Sequence, residues 1–246
     1  MNEREDRRYD DRDPCGRLHF EAVIMGITDL ERTLVEAKQQ VTHAAERVRG
    51  KHKGNELADY RSAHERLLEA ERAVARGEEY ATPCPGFPAW DIGAPLPHLL
   101  SGSRGTILVY FVSEPDPAWH GTAVRVVDVA DEEVASIAAV RFTLVTAVRM
   151  GAPNDEVISG HPLYGRGLSA YRAHSVINSR WIKDLQAINS VHSQYDAAHW
   201  TRRNHYLLAF HDETVECVAD GFRAEVKRTT LAKACREALE EVMGTE

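Results

Sequence analysis

His205-Tyr206-Leu207-Leu208-Ala209-Phe210-His211-Asp212-Glu213-Thr214-Val215-Glu216-Cys217-Val218-Ala219-Asp220-Gly221-Phe222-Arg223-Ala224-Glu225-Val226 is the stretch whose period decides the fold. It reads as two strands joined by a tight acidic turn. With Asp212-Glu213 as the turn, or His211 to Thr214 as a four-residue loop, Phe210 faces Val215, Leu208 faces Cys217 and Ala209 faces Glu216. Side chains alternate along a strand, so Tyr206, Leu208, Phe210, Val215, Cys217 and Ala219 form one apolar face. The opposite face carries His205, Leu207, Ala209, His211, Thr214, Glu216, Val218 and Asp220, polar groups set among small or aliphatic ones. The first face is expected to be core. The second matters for function only if the segment 154 to 174 folds over it and brings His161 or His174 within reach of His211 and Glu216.

Working outward, the same period of two recurs upstream. Gly105 to Val112, Thr122 to Val129 and Val134 to Met150 are rich in Val, Ile, Thr and Phe, and the last reads as one long strand or two short ones. Short connections between them predict an antiparallel meander. Tyr171 to Ser179 reads as a short strand, after which Ser179 is placed to cap a helix through Trp181, Leu185 and Ile188. Asp196 is placed to cap another, carrying His199 and Trp200, and Leu231, Ala234, Cys235, Ala238, Leu239 and Val242 form the stripe of a closing helix over 230 to 243.

Nearer the start the period is helical. Residues 1 to 13 hold six acids and four arginines and cannot bury apolar surface, so 1–17 is expected to be a disordered tail. Ile27, Leu30, Leu34, Ala37, Val41, Ala44 and Val48 then recur at alternating threes and fours, a coiled-coil seam. Lys51 to Asn55 breaks the run, and Leu57, Tyr60, His64, Leu67, Leu68 and Val74 resume it. The pair predicts an antiparallel helical hairpin over 18–80, which either packs back on its own domain or forms a dimer interface; helices of about 30 and about 20 residues are longer than a globular domain usually needs, which favours a homodimer. Residues 82 to 97 contain five prolines and two glycines, which excludes helix or central strand; their Phe87, Trp90, Ile92 and Leu96 suit an ordered connector wrapping the core. The expected class is therefore α+β, a mainly antiparallel sheet with flanking helices over 81–246, preceded by a long N-terminal helical hairpin.

Composition bounds the partners. A net charge of −8 disfavours general nucleic-acid binding, which draws on phosphate neutralisation by Lys and Arg. There is no apolar run of membrane-spanning length and no secretory signal, so a cytoplasmic protein is expected. The four cysteines, Cys15, Cys84, Cys217 and Cys235, are widely spaced with no Cys-x-x-Cys pair, and read as reduced thiols.

Six of the twelve histidines, at 161, 174, 192, 199, 205 and 211, fall between Gly160 and Cys217. No zinc-protease, nucleophile-elbow, dinucleotide or Walker motif accompanies them. Three readings stay open. His161, His174 and His211 with Glu216 or Glu156 bind a transition metal. Alternatively a histidine acts as general acid/base, oriented by Asp155, Asp212 or Glu216, with Arg166 binding an anionic substrate. In the third reading they are satisfied structural histidines and the protein binds a partner or small ligand. Glu216 is the most telling residue, because a carboxylate in an apolar strand is costly unless exposed or paired. The functional expectation is an enzyme acting on a small polar molecule through His161, His174, His211, Glu216 and Arg166, with the metal unassigned. The alternative is a non-catalytic ligand-binding or protein-interaction module dimerising through the N-terminal helices.

Asn154-Asp155-Glu156, Gly160-His161-Pro162-Leu163, Asn178-Ser179-x-Trp181-Ile182 and Phe210-His211-Asp212-x-Thr214-x-Glu216-Cys217, in that order, resemble a family of uncharacterised bacterial proteins. The resemblance covers roughly 95 to 225 and implies that this segment is a unit to which the helical hairpin is added. It implies no activity. Val215 stands where that pattern leads one to expect an aromatic residue, a departure that bears on packing more than on chemistry.

Overall fold

A computed structural model describes residues 14–50, 55–114 and 133–244, with side chains from Asp29 onward. The chain divides into two compact units, Met1–Val74 and Ala75–Glu246.

In the first unit, α1 (Pro14–Arg49) and α2 (Glu56–Val74) pack side by side. Arg47 reaches Asp59 at 2.8 Å and Arg66 reaches Gln40 at 3.4 Å, which makes the pair antiparallel. Ala37 and Ala44 on α1 and Ala63 and Ala70 on α2 are buried, so small side chains at the seam let the helices approach closely; Leu68 supplies the bulk. Helix α1 begins at Pro14, inside the stretch expected as tail; residues 1–13 lie outside the described residues. The second helix stops at Val74, and strand structure begins at Tyr80.

The second unit is built on two antiparallel sheets, which gives the α+β class expected from the alternating periods. One has four strands in the order β2 (His98–Gly102), β3 (Gly105–Phe111), β4 (Ala135–Thr143), β9 (Gly221–Thr229). The other has five, in the order β1 (Tyr80–Pro83), β6 (Arg172–Ile177), β7 (Asn204–Ala209), β8 (Thr214–Ala219), β5 (Ala147–Gly151). Their facing sides share one core: Leu108, Tyr110, Val140 and Phe142 from the four-stranded sheet meet Tyr206, Leu208, Val215 and Cys217 from the five-stranded one. The far side of the four-stranded sheet is closed by α5 (Leu231–Met243), whose Leu231, Ala234, Ala238 and Val242 bury against Ile107, Val109 and Ile137. Burying Leu231 alone is worth about 2 kcal/mol. Thr230 caps α5 by accepting the Lys233 N–H, and Gly244 ends it in the left-handed conformation.

Two strand expectations are corrected and a third is resolved. Strands β3 and β4 pair directly, Tyr110 opposite Ala138, so the meander does not run through a strand between them; residues 122 to 129 lie outside the described residues. The run 134 to 150 takes one of its two expected forms, two short strands, which lie in different sheets. In the hairpin the turn is His211-Asp212, one residue earlier than expected, closed by Phe210 N–H donating to the Glu213 carbonyl at 3.0 Å. Leu208 therefore faces Val215, Tyr206 faces Cys217 and Leu207 faces Glu216. Both sets of faces survive because a register shift of two residues leaves every side chain on its own side. The second arm also ends sooner: after Asp220 the chain leaves the five-stranded sheet and Gly221 starts β9 in the other.

The proline-rich connector packs as expected. Trp90 is buried against Tyr110 and Phe210, Phe87 stacks on Phe222 at 3.8 Å, and the Tyr110 hydroxyl donates to the Pro88 carbonyl at 2.9 Å. Pro83 sits in β1, an edge strand, where a missing N–H is tolerated.

Candidate functional site

The outer face of the five-stranded sheet carries the polar residues that alternation assigns to it. Its apolar part, Ala81, Val176, Leu207 and Ala209, is covered by Ile158, Leu163 and Leu168 from the segment following β5. That segment opens with a 3-10 turn over Asp155–Gly160, capped by the Asn154 side chain. The polar part, His205, Glu216 and Arg149, forms the wall of a cleft of about 730 Å³. The cleft's other walls come from Pro153, Val157, His161 and Pro162 and from α3 (Arg180–Asn189), which contributes Arg180, Trp181 and Asp184.

A line of hydrogen bonds runs through the wall. Ser179 caps α3, its Oγ accepting the Ile182 N–H at 3.1 Å, and lies 2.9 Å from His205 Nδ1. His205 Nε2 is 2.8 Å from Glu216 Oε2. Glu216 Oε1 accepts from Arg149 Nε at 2.8 Å and Nη2 at 2.7 Å. The Arg149 guanidinium lies 4.5 Å over the Trp181 ring, and Trp181 meets His205 edge-on at 5.1 Å. Ser179, His205 and Glu216 are each at most 5% exposed.

Burial alone would raise the Glu216 pKa, but hydrogen bonds from His205 and Arg149 outweigh it and hold the carboxyl ionised, down to about 2. An ionised carboxylate can only accept, so His205 Nε2 carries a proton and donates to it. The residue types are those of a hydroxyl-imidazole-carboxylate relay, but their order is turned inward: His205 and Glu216 line the cleft and Ser179 lies behind them. A nucleophile has to be reachable, so this serine holds an imidazole in place instead of attacking a ligand.

His161 stands across the cleft at the end of the 3-10 turn, its backbone extended before Pro162. The Leu163 N–H donates to its Nδ1 at 3.1 Å, which leaves the proton of the neutral ring on Nε2. Burial pushes the His161 pKa below its usual range, with Glu216 opposing and Arg149 adding to the fall. Neutral His161 is thus a donor at Nε2.

The expected site residues separate in space. His161 and Glu216 line the same cleft. His174 lies fully buried on β6, where its Nε2 accepts the Ser169 N–H at 3.3 Å. His211 is at the hairpin tip in a second cluster, with Nδ1 3.2 Å from Asp155 Oδ2 and 3.1 Å from the Tyr171 hydroxyl. The Tyr171 hydroxyl also donates to Asp155 Oδ2, which ties the 3-10 turn to the tip. Arg166 pairs with Glu78 at 2.6 Å and donates to the Glu79 carbonyl, and it does not line the cleft. Among the described residues no three His, Cys, Asp or Glu side chains are grouped to hold a metal ion. Cys84, Cys217 and Cys235 are free thiols, and burial pushes Cys217 up to about 12.

Arg149, Trp181 and His205 line the cleft but were not among the expected catalytic residues, although Trp181 stands in the Asn178-to-Ile182 motif. His205 and Glu216 share a strand face in the sequence, which was a usable signal; Arg149 comes from a strand whose partner no motif names, so its pairing with Glu216 was not legible.

The fold and site define an α+β protein whose outer sheet face is partly an apolar floor and partly a polar cleft wall. Comparison with protein-family models, curated proteins and solved structures finds no match.

Proposed function

We propose that this protein is an enzyme acting on a small polar molecule held in the cleft between Arg149, Trp181 and His161. The observation that carries the reading is the buried Ser179-His205-Glu216 line ending at Arg149. Placing an imidazole and a carboxylate beneath a cleft costs stability unless every polar atom is paired, and a core of the same size needs neither. What the arrangement supplies is a guanidinium fixed in direction at the cleft wall, facing a neutral imidazole that offers a proton donor. Groups fixed in this way polarise a bound oxygen and stabilise charge developing on it. The His205-Glu216 pair therefore acts as a support: both nitrogens of His205 and both oxygens of Glu216 have protein partners.

That saturation also favours a second reading, a non-catalytic ligand-binding protein. The two are separated by incubating the protein with p-nitrophenyl carboxylic esters and p-nitrophenyl phosphate. Release of nitrophenol that falls about a hundredfold or more in Arg149→Lys and His161→Gln supports the enzyme. Saturable binding of the same probes with no release selects the binding protein.

The helical unit supports pairing with a second copy. Leu30, Val35, Leu57 and Val74 stay at least 40% exposed along helices whose own seam is already filled by alanines. Helix α1 has 36 residues against 19 in α2, so part of α1 runs on beyond its partner. Sedimentation of the full chain tests this: a dimer that becomes a monomer in Leu30→Arg with Leu57→Arg supports pairing, and a monomeric parent sinks it.

A further inference from the structure

Resting on the cleft reading above, we infer that the ligand carries an oxyanion, a carboxylate or phosphate, seated between the guanidinium of Arg149 and Nε2–H of His161, with an apolar body beside it. The donors that face the cleft are of the right kind. Arg149 spends Nε and Nη2 on a single oxygen of Glu216, and among the described residues its Nη1 end is not engaged. His161 is turned by the Leu163 N–H so that its remaining nitrogen is a donor. Arg180 stands on the same wall with its side chain 69% exposed.

The acidic residues of the lining are largely occupied. Glu216 is held by His205 and Arg149. Glu79 accepts the Arg180 backbone N–H at 2.6 Å and faces its Nε at 3.6 Å, completing the N-terminus of α3. Asp184 is exposed, and it would meet a hydroxyl or amino group elsewhere on the ligand. Apolar surface from Met150, Pro153, Val157 and Pro162 makes up much of the remaining wall, which suits a body of carbon carrying one charged end. A guanidinium whose rotation is already frozen by Glu216 and Trp181 loses little entropy on binding, so its charge-assisted hydrogen bonds are turned into affinity.

The test uses the full chain and four probes, benzoate, phenyl phosphate, benzamide and benzyl alcohol, titrated at low and high salt while the Trp181 indole N–H and the His161 ring protons are followed by NMR. Expected are saturable shifts of both residues with benzoate or phenyl phosphate, weaker at high salt. In Arg149→Gln the affinity should drop about tenfold or more, as the loss of one charge-assisted contact predicts. Arg166→Gln, outside the cleft, should bind as the parent does. If only phenyl phosphate binds, the head group is a phosphate; if only benzoate, a carboxylate. Equal binding of benzamide and benzyl alcohol, or anion binding unchanged in a folded Arg149→Gln, overturns the inference, as does the absence of any shift. Because nothing here depends on turnover, this outcome is separable from failure of the enzyme reading: anion binding without catalysis leaves the inference standing, and catalysis on neutral molecules alone removes it.

Discussion

Replacing Glu216 by Gln removes one charge from the cleft wall while keeping its shape. The ordinary carboxyl value of 4.5 falls to about 2 in the folded protein, and that difference corresponds to about 3 kcal/mol of preference for the ionised form. Arg149 is 56% exposed, so its share is reduced by solvent, whereas His205 at 3% exposure keeps its share. A loss of about 2 to 3 kcal/mol at pH 7 follows, because the Gln carbonyl can accept from only one of the two donors and its amide turns N–H toward the other. The sign with pH is set by the folded value lying below the unfolded one. The carboxylate's contribution is complete above about 4.5 and fades as pH falls toward 2, where parent and variant both carry a neutral group. Urea unfolding followed by tryptophan fluorescence reads the right unit, since Trp90, Trp119, Trp181 and Trp200 all follow Val74. Run at pH 7, 5 and 3, it should give a stability gap that narrows with acid. A gap that stays constant across this range, or a variant as stable as the parent at pH 7, refutes the argument that Glu216 is held ionised by its partners.

The His161 ring protons should titrate by NMR with a midpoint below 6.5, since burial disfavours its cation, and the midpoint should fall further in Glu216→Gln, where the main opposing anion is gone; a midpoint at or above 6.5 contradicts the burial assigned to it. Phe210→Ala should cost about 3 to 5 kcal/mol by urea unfolding, because the ring is 1% exposed and lies 4.4 Å from Trp90 and 5.5 Å from Tyr110; a cost under about 1 kcal/mol would show that the core between the sheets closes over the gap. Tyr171→Phe should leave global stability within about 1 kcal/mol and yet speed amide exchange over Asp155–Gly160; unchanged exchange would mean that the Asp155 N–H bond to the His211 carbonyl holds the turn by itself.

Much of the fold was legible because it rests on local chemistry. Ser179 and Asp196 cap α3 and α4 (Ala197–Trp200) as their sequence context marks, and the alternation in Tyr206, Leu208, Val215 and Cys217 names the core face even though the turn lies one residue earlier than the pattern suggests. Strand order was not legible, because backbone pairing in a sheet carries no side-chain label. Nothing in Ala147–Gly151 says that it will edge β8, and nothing in Gly221 says that the chain there changes sheets. The same limit divides the site. Glu216 stood out as a carboxylate in an apolar strand, and His161 as one of the candidate histidines. Of their neighbours only His205 shares a strand face with Glu216 in the sequence, and His174, His211 and Arg166, equally plausible by residue type, are engaged elsewhere by Ser169, by Asp155 and Tyr171, and by Glu78. The sequence by itself determined the periods, the caps and which side of each strand is polar, since these depend on residues within one or two turns of each other. Only the tertiary structure decided that Arg149, Trp181, His205 and Glu216 form one wall, because those contacts join positions up to 67 residues apart through a pairing of strands that local propensity does not encode.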